Sequence, residues 1–179
     1  MDSTAARASL AFGGMAQGVK LRSLLDDVVE LVSRVRRARD SRQVVVLCDG
    51  KETIWAAAAA RSELVGAIWI LDFFHVAENL MTAATAIHGD TAEARRRDEK
   101  QREKLRLDQH GVEHVVRSMS CYRRLLPGDC NERKVLGNAI GYFRDHRERM
   151  RYAQFIALGL PIGSGPVESA AKNLVQARL

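Results

Sequence analysis

Gln43-Val44-Val45-Val46-Leu47-Cys48, closed by Asp49-Gly50, and Gly66-Ala67-Ile68-Trp69-Ile70-Leu71, closed by Asp72, decide the fold. Each is a continuous apolar run, rich in β-branched side chains and without polar alternation, which is the pattern of a strand buried on both faces. Between them, Glu52 to Arg61 is alanine-rich and helix-forming. A strand, a helix and a strand joined through about 17 residues are what two parallel neighbours require. Parallel strands end on one edge of the sheet. Asp49 and Asp72 are therefore expected side by side, on strands about 5 Å apart, at the edge where open α/β sheets keep their sites.

Working outward, Leu21, Leu25, Val28, Val32 and Val35 recur at spacings of four and three between Val19 and Asp40, so this segment reads as a helix with a core-facing stripe. Beyond Phe74 the pattern is helical only. Val76 to Ile87 is followed by an arginine-rich segment, Thr91 to Leu107, by Val112, Val115, Val116 and Met119 at helical spacing, and by one or two helices within Asn131 to Leu158. Gly159-Leu160-Pro161-Ile162-Gly163-Ser164-Gly165-Pro166 must be a loop. Pro166 suits the first helical position, making Gly165 the N-cap and putting Glu168 in the first turn of a helix over Val167 to Arg178.

The chain has 179 residues, 46% apolar and 28% charged, a mixture that excludes disordered and collagen-like classes and suits one core. Lys plus Arg number 28 against 22 Asp plus Glu, a net +6, with arginines concentrated at Arg34 to Arg39 and Arg95 to Arg106. That excess admits a polyanionic partner, and composition alone favours the blander reading of helix faces solvated by charge. Three widely spaced cysteines, Cys48, Cys121 and Cys130, support neither a disulfide framework nor a zinc ribbon. No stretch has the length and apolarity of a signal peptide or a membrane span, so a cytoplasmic protein without membrane partners is expected.

Three acids stand out by position: Asp49 and Asp72 at strand ends, and Glu168 behind the Gly-Ser-Gly loop. Carboxylates converging from separate elements are what Mg²⁺ accepts, its other positions being filled by water and phosphate oxygens. Each also has a structural reading, Asp-Gly as a turn, Asp72 as a helix cap and Glu168 as a complement to the helix dipole. His75 follows Asp72 by three residues, and spacing alone gives it no metal partner.

The blocks Val46-Leu47-Cys48-Asp49-Gly50, Ile54-Trp55, Ile70-Leu71-Asp72-Phe73-Phe74-His75-Val76-Ala77-Glu78, Arg149-Met150-Arg151-Tyr152 and Gly159 to Ala170 resemble the ISKra family of bacterial insertion-sequence transposases, in the Mutator-like branch of the DDE transposases. The resemblance runs from Val44 to the C-terminus, and the last block is its most specific part. It implies an α/β, partial ribonuclease H-like fold, helix-rich overall, with a large all-helical insertion before the catalytic Glu. On that reading, 43–75 and 159–179 form the partial catalytic core, 76–158 the insertion and 1–42 an N-terminal helical segment.

Carried over by position, Asp49 and Glu168 match catalytic, metal-holding acids, and Asp72 with His75 match the accompanying Asp-x-x-His motif. The implied chemistry is Mg²⁺- or Mn²⁺-dependent cleavage and joining of DNA, with transposon ends and target as partners and a homo-oligomer on them. The family's first acid, in an Asp-Gly-Thr motif on an early strand, has no counterpart before Val44, and its basic segment beyond the catalytic Glu is also missing. The resemblance therefore implies a chain truncated at both ends, of low stability and inactive alone. Arg95, Arg96, Arg97, Arg149 and Arg151 are the expected DNA contacts. The rival reading is a non-catalytic basic helical module that holds DNA electrostatically. A small hydrolase using Asp49 on phosphate monoesters ranks last, since no glycine-rich phosphate loop follows either strand.

Overall fold

A computed structural model of the chain describes residues 8–12, 26, 27, 29, 30 and 44–165. The two apolar runs become β2 (Val44–Cys48) and β3 (Ile68–Leu71), and β1 (Ala8–Phe12) joins them in a three-stranded sheet of order β1-β2-β3. Both pairings are parallel, with Phe12 opposite Cys48 and Cys48 opposite Leu71. β2 is central and every one of its residues is buried, as the absence of polar alternation requires.

The crossover from β2 to β3 is α1 (Glu52–Ala59) followed by a 3₁₀ turn at Ser62–Leu64. Ile54, Trp55 and Ala58 form the buried side of α1, and Trp55 meets Trp69 of β3 at 5.7 Å between ring centres, tilted by 53°. This aromatic pair fastens the helix to the strand in the offset geometry that ring quadrupoles favour.

β1 places a strand within 1–42, the segment expected to be helical, ahead of the helix read over Val19 to Asp40. Its sequence, Ala-Ser-Leu-Ala-Phe, lacks both β-branched residues and a run long enough to signal a strand, and it is a strand because β2 offers it a backbone ladder. Within the same segment, Asp26, Asp27, Val29 and Glu30 are helical, with Val29 buried and the three acids exposed. Asp26 pairs with Arg61 at 2.5 Å. The stripe residues Leu21, Leu25, Val28, Val32 and Val35 lie outside the described residues, as do Glu168 and the helix over Val167 to Arg178.

The chain divides into two compact units, Met1–Asp72 with Gly163–Leu179, and Phe73–Ile162. The second is helical: α2 (Phe73–His88), α3 (Ala92–Leu107), α4 (Gly111–Leu125), α5 (Asn131–Asp145) and the short α6 (Tyr152–Ala157), with a 3₁₀ turn at Arg147–Met150. α2 packs on α3, α3 on α4, α4 on α5, and α5 returns to α2, while α6 lies against α3. Short connections between successive helices produce such a closed four-helix arrangement. Leu80, Val115, Leu136 and Phe143 fill its centre. One carboxylate, that of Asp98, is buried with them and pairs with a half-exposed arginine. Asp98 of α3 binds the Nε of Arg102 at 2.7 Å, and the same guanidinium donates to the Ala77 carbonyl of α2 at 3.3 Å. Among the described residues no helix is long and apolar enough to cross a membrane. The architecture is α/β and helix-rich.

Asp108 sets the corner between α3 and α4. Its Oδ1 accepts the His110 backbone N–H at 2.8 Å and its Oδ2 lies 2.6 Å from His114 Nδ1. The His110 N–H, opposed by desolvation and helped by the His114 ring, holds this carboxyl below its ordinary value of 3.8. A depressed carboxyl pKa contributes stability that is fully present above the unfolded value and is lost as pH falls through the folded one. Thermal melting of the Asp108→Asn variant should therefore fall less steeply than wild type below about pH 4. Parallel melting curves across that range would show that the carboxylate contributes nothing.

Candidate functional site

The register of β2 and β3 brings the two strand-end aspartates to one edge. The Asp72 N–H donates to the Cys48 carbonyl at 2.8 Å, so Asp72 continues the ladder beside the residue that precedes Asp49. Gly50 has φ of +91°, a left-handed conformation that glycine adopts without a Cβ penalty, and this gives the chain its sharp exit from β2. Asp49 Oδ1 accepts the Lys51 N–H at 3.1 Å, and its Oδ2 lies 3.5 Å from the Lys51 ammonium. The Asp49 side chain is 5% exposed, and that of Lys51 is 57% exposed. The Asp-Gly turn is thus present, and the lysine that screens the carboxylate can swing away into water.

Asp72 is the buried acid of this edge, at 4% exposure. It does more than end a strand. Its Oδ2 accepts the backbone N–H of Ser164 at 3.1 Å, tying the Gly163-Ser164-Gly165 loop to the end of β3 across 92 residues of sequence. A carboxylate to N–H bond of this kind is charge-assisted and directional, so it holds the loop at the edge from which both aspartates emerge.

His75 lies on α2, where its Nδ1 is 3.3 Å from Glu78 Oε2, one turn further along. Among the described residues no three His, Cys, Asp or Glu side chains gather as a metal site. Asp49 and Asp72 supply two hard oxygen donors at one sheet edge, and Mg²⁺ takes one or two carboxylates with water and phosphate oxygens at its other positions.

The arginines named from sequence differ in how far they are neutralised. Arg95 pairs with Asp90 at 2.9 Å, Arg96 with Glu93 at 2.7 Å, and Arg151 with Glu148. Arg149 contacts His146 Nδ1 at 3.1 Å. Arg97 instead donates to Ser118 Oγ at 2.6 Å and lies over the Tyr122 ring at 4.2 Å. Sequence reasoning missed Ser164 and Lys51 at the strand edge. The Asp49-x-Lys51 spacing was the local signal for the second, whereas nothing local pointed to the first. Compared with known proteins, the chain matches no family model, no curated protein and no solved structure.

Proposed function

We propose that the chain carries a DNA transposase-type site of ribonuclease H-like descent, in which Asp49 and Glu168 hold a divalent ion, Mg²⁺ or Mn²⁺, for phosphodiester chemistry. Asp72 acts as a positioning residue on this reading. Its bond to Ser164 draws to the β2–β3 edge the loop that leads, four residues later, to Glu168. That bond is the observation that carries the proposal, because it joins the strand pair to the Gly-Ser-Gly block without any sequence proximity. The ion supplies charge neutralisation at the phosphate and a more acidic bound water.

β1 flanks β2 on the side opposite β3 and runs parallel to it. In sequence it continues into Gly13-Gly14-Met15-Ala16, none of which is acidic. With the family's early-strand acid unmatched there, two ions cannot be shared among three carboxylates in the usual manner. The expected behaviour is uptake of an ion without DNA cleavage. Calorimetric titration of Mn²⁺ should detect a site that the Asp49→Asn variant lacks, while supercoiled plasmid stays intact with Mg²⁺ or Mn²⁺. Equal ion uptake by wild type and Asp49→Asn contradicts the site. Plasmid cleavage that disappears in Asp49→Ala contradicts the inactivity. The rival reading, a basic helical module that holds DNA without chemistry, is favoured by a separate feature of α3.

A further inference from the structure

α3 carries seven cations and four carboxylates; one cation, Arg106, lies over the Phe73 ring at 5.9 Å, and ion pairs divide the other six into two groups. Arg95, Arg96 and Arg102 are matched to Asp90, Glu93 and Asp98. Arg97, Lys100 and Lys104 have no carboxylate partner among the described residues, although Glu99 and Glu103 precede the two lysines. Adjacent positions on a helix do not face one another, and although Glu103 also stands three residues after Lys100, the described ion pairs of this helix are those of Arg95, Arg96 and Arg102.

The three unmatched cations line one groove of about 300 Å³, closed on its far side by Ser118 of α4. Its one carboxylate, Glu93, is engaged by Arg96. Arg97 is already immobilised there by the Ser118 hydroxyl and the Tyr122 ring, so part of the ordering cost of binding an anion is met in advance. Ser118 accepts from Arg97 and keeps its own O–H to donate. A concave surface with three cations outside the described ion pairs and a hydroxyl donor is complementary to oxyanions.

Spacing decides which oxyanion. From Arg97 to Lys104 the helix rises about 10 Å, so the charges follow a line and do not converge on one point, as a free phosphate would demand. A nucleic-acid strand presents a phosphate about every 3.4 Å along its axis, and about three fit that length. We propose that the α3–α4 groove is a track for the sugar-phosphate backbone of a nucleic acid, read without sequence preference through Arg97, Lys100 and Lys104. The track uses no metal and stands independently of the carboxylate edge.

The test is fluorescence anisotropy of a fluorescein-labelled DNA duplex of about 20 base pairs, titrated in EDTA over a range of salt concentrations. Lys100→Ala/Lys104→Ala should reduce the slope of log affinity against log salt by about 1.8, at about 0.9 for each phosphate deprived of its cation. Lys134→Ala/Arg144→Ala removes the same charge from exposed positions on α5 and should leave the slope unchanged. Because the titration is run in EDTA, binding that persists there separates this track from the metal site. An equal reduction of slope in the two double variants, an unchanged slope in the groove variant, or equal displacement of the duplex by poly-glutamate overturns the proposal.

Discussion

Truncating Phe143 to alanine is expected to lower the stability of the helical unit by about 3–5 kcal/mol, a large share of the ~5–15 kcal/mol typical of a domain. Phe143 is fully buried on α5, on the same face as Leu136, Ala139 and Ile140, and α5 is the helix that closes the ring by packing on both α4 and α2. Removing the ring forfeits its transfer free energy and leaves a cavity where two helix interfaces meet. Urea denaturation followed by far-UV circular dichroism checks this. Phe143→Leu, which keeps most of the volume, should lose clearly less. A loss below about 1 kcal/mol for Phe143→Ala would mean that α5 is not seated as described.

Gly111→Ala should destabilise the same unit by about 1–3 kcal/mol or more, despite alanine's better helix propensity. A Cβ at Gly111 would lie 2.6 Å from the Lys104 carbonyl oxygen and 2.9 Å from Leu105 Cα. Both are backbone atoms in the last turn of α3, so no side chain can rotate away and the corner itself must open. Gly141→Ala is the matched comparison, because a Cβ there meets nothing within 4 Å. That variant should be neutral or gain up to about 1 kcal/mol from propensity. Thermal melting of the two variants side by side distinguishes a steric effect from a general one. Equal melting temperatures would refute the close approach of α4 to α3.

Much of this was legible in the sequence, for physical reasons. β2 and β3 announced themselves because a strand buried on both faces has no polar positions to break its apolar run. Their closing aspartates could then be placed on one edge from the parallel pairing alone. β1 was not legible, since Ala-Ser-Leu-Ala-Phe has the composition of many helices and loops and owes its conformation to its neighbour. α3 was readable as a helix from its formers and its Thr91 cap, which accepts the Ala94 N–H at 3.2 Å. Its inward face of Ala94, Asp98 and Leu105 is too polar to reveal how it packs.

The site divides in the same way. The Asp49 turn is local and was foreseen, whereas the Asp72–Ser164 bond spans the whole helical unit and has no sequence signature. Among the basic residues, density of arginine pointed to Arg95 and Arg96. Availability of charge points instead to Lys100 and Lys104. The i to i+3 pair of Glu93 with Arg96 and the i to i+4 pair of Asp98 with Arg102 were both readable from spacing. They would have directed attention to the lysines.

Manganese-induced broadening of backbone amide signals tests the central claim most directly, because paramagnetic relaxation reports distance to the bound ion residue by residue. With carboxylates sharing an ion at the β2–β3 edge, the amides of Asp49, Gly50, Asp72 and Ser164 should broaden first, and Asp49→Ala should abolish the effect. Selective broadening elsewhere in the chain, or the same pattern in wild type and Asp49→Ala, would contradict the account.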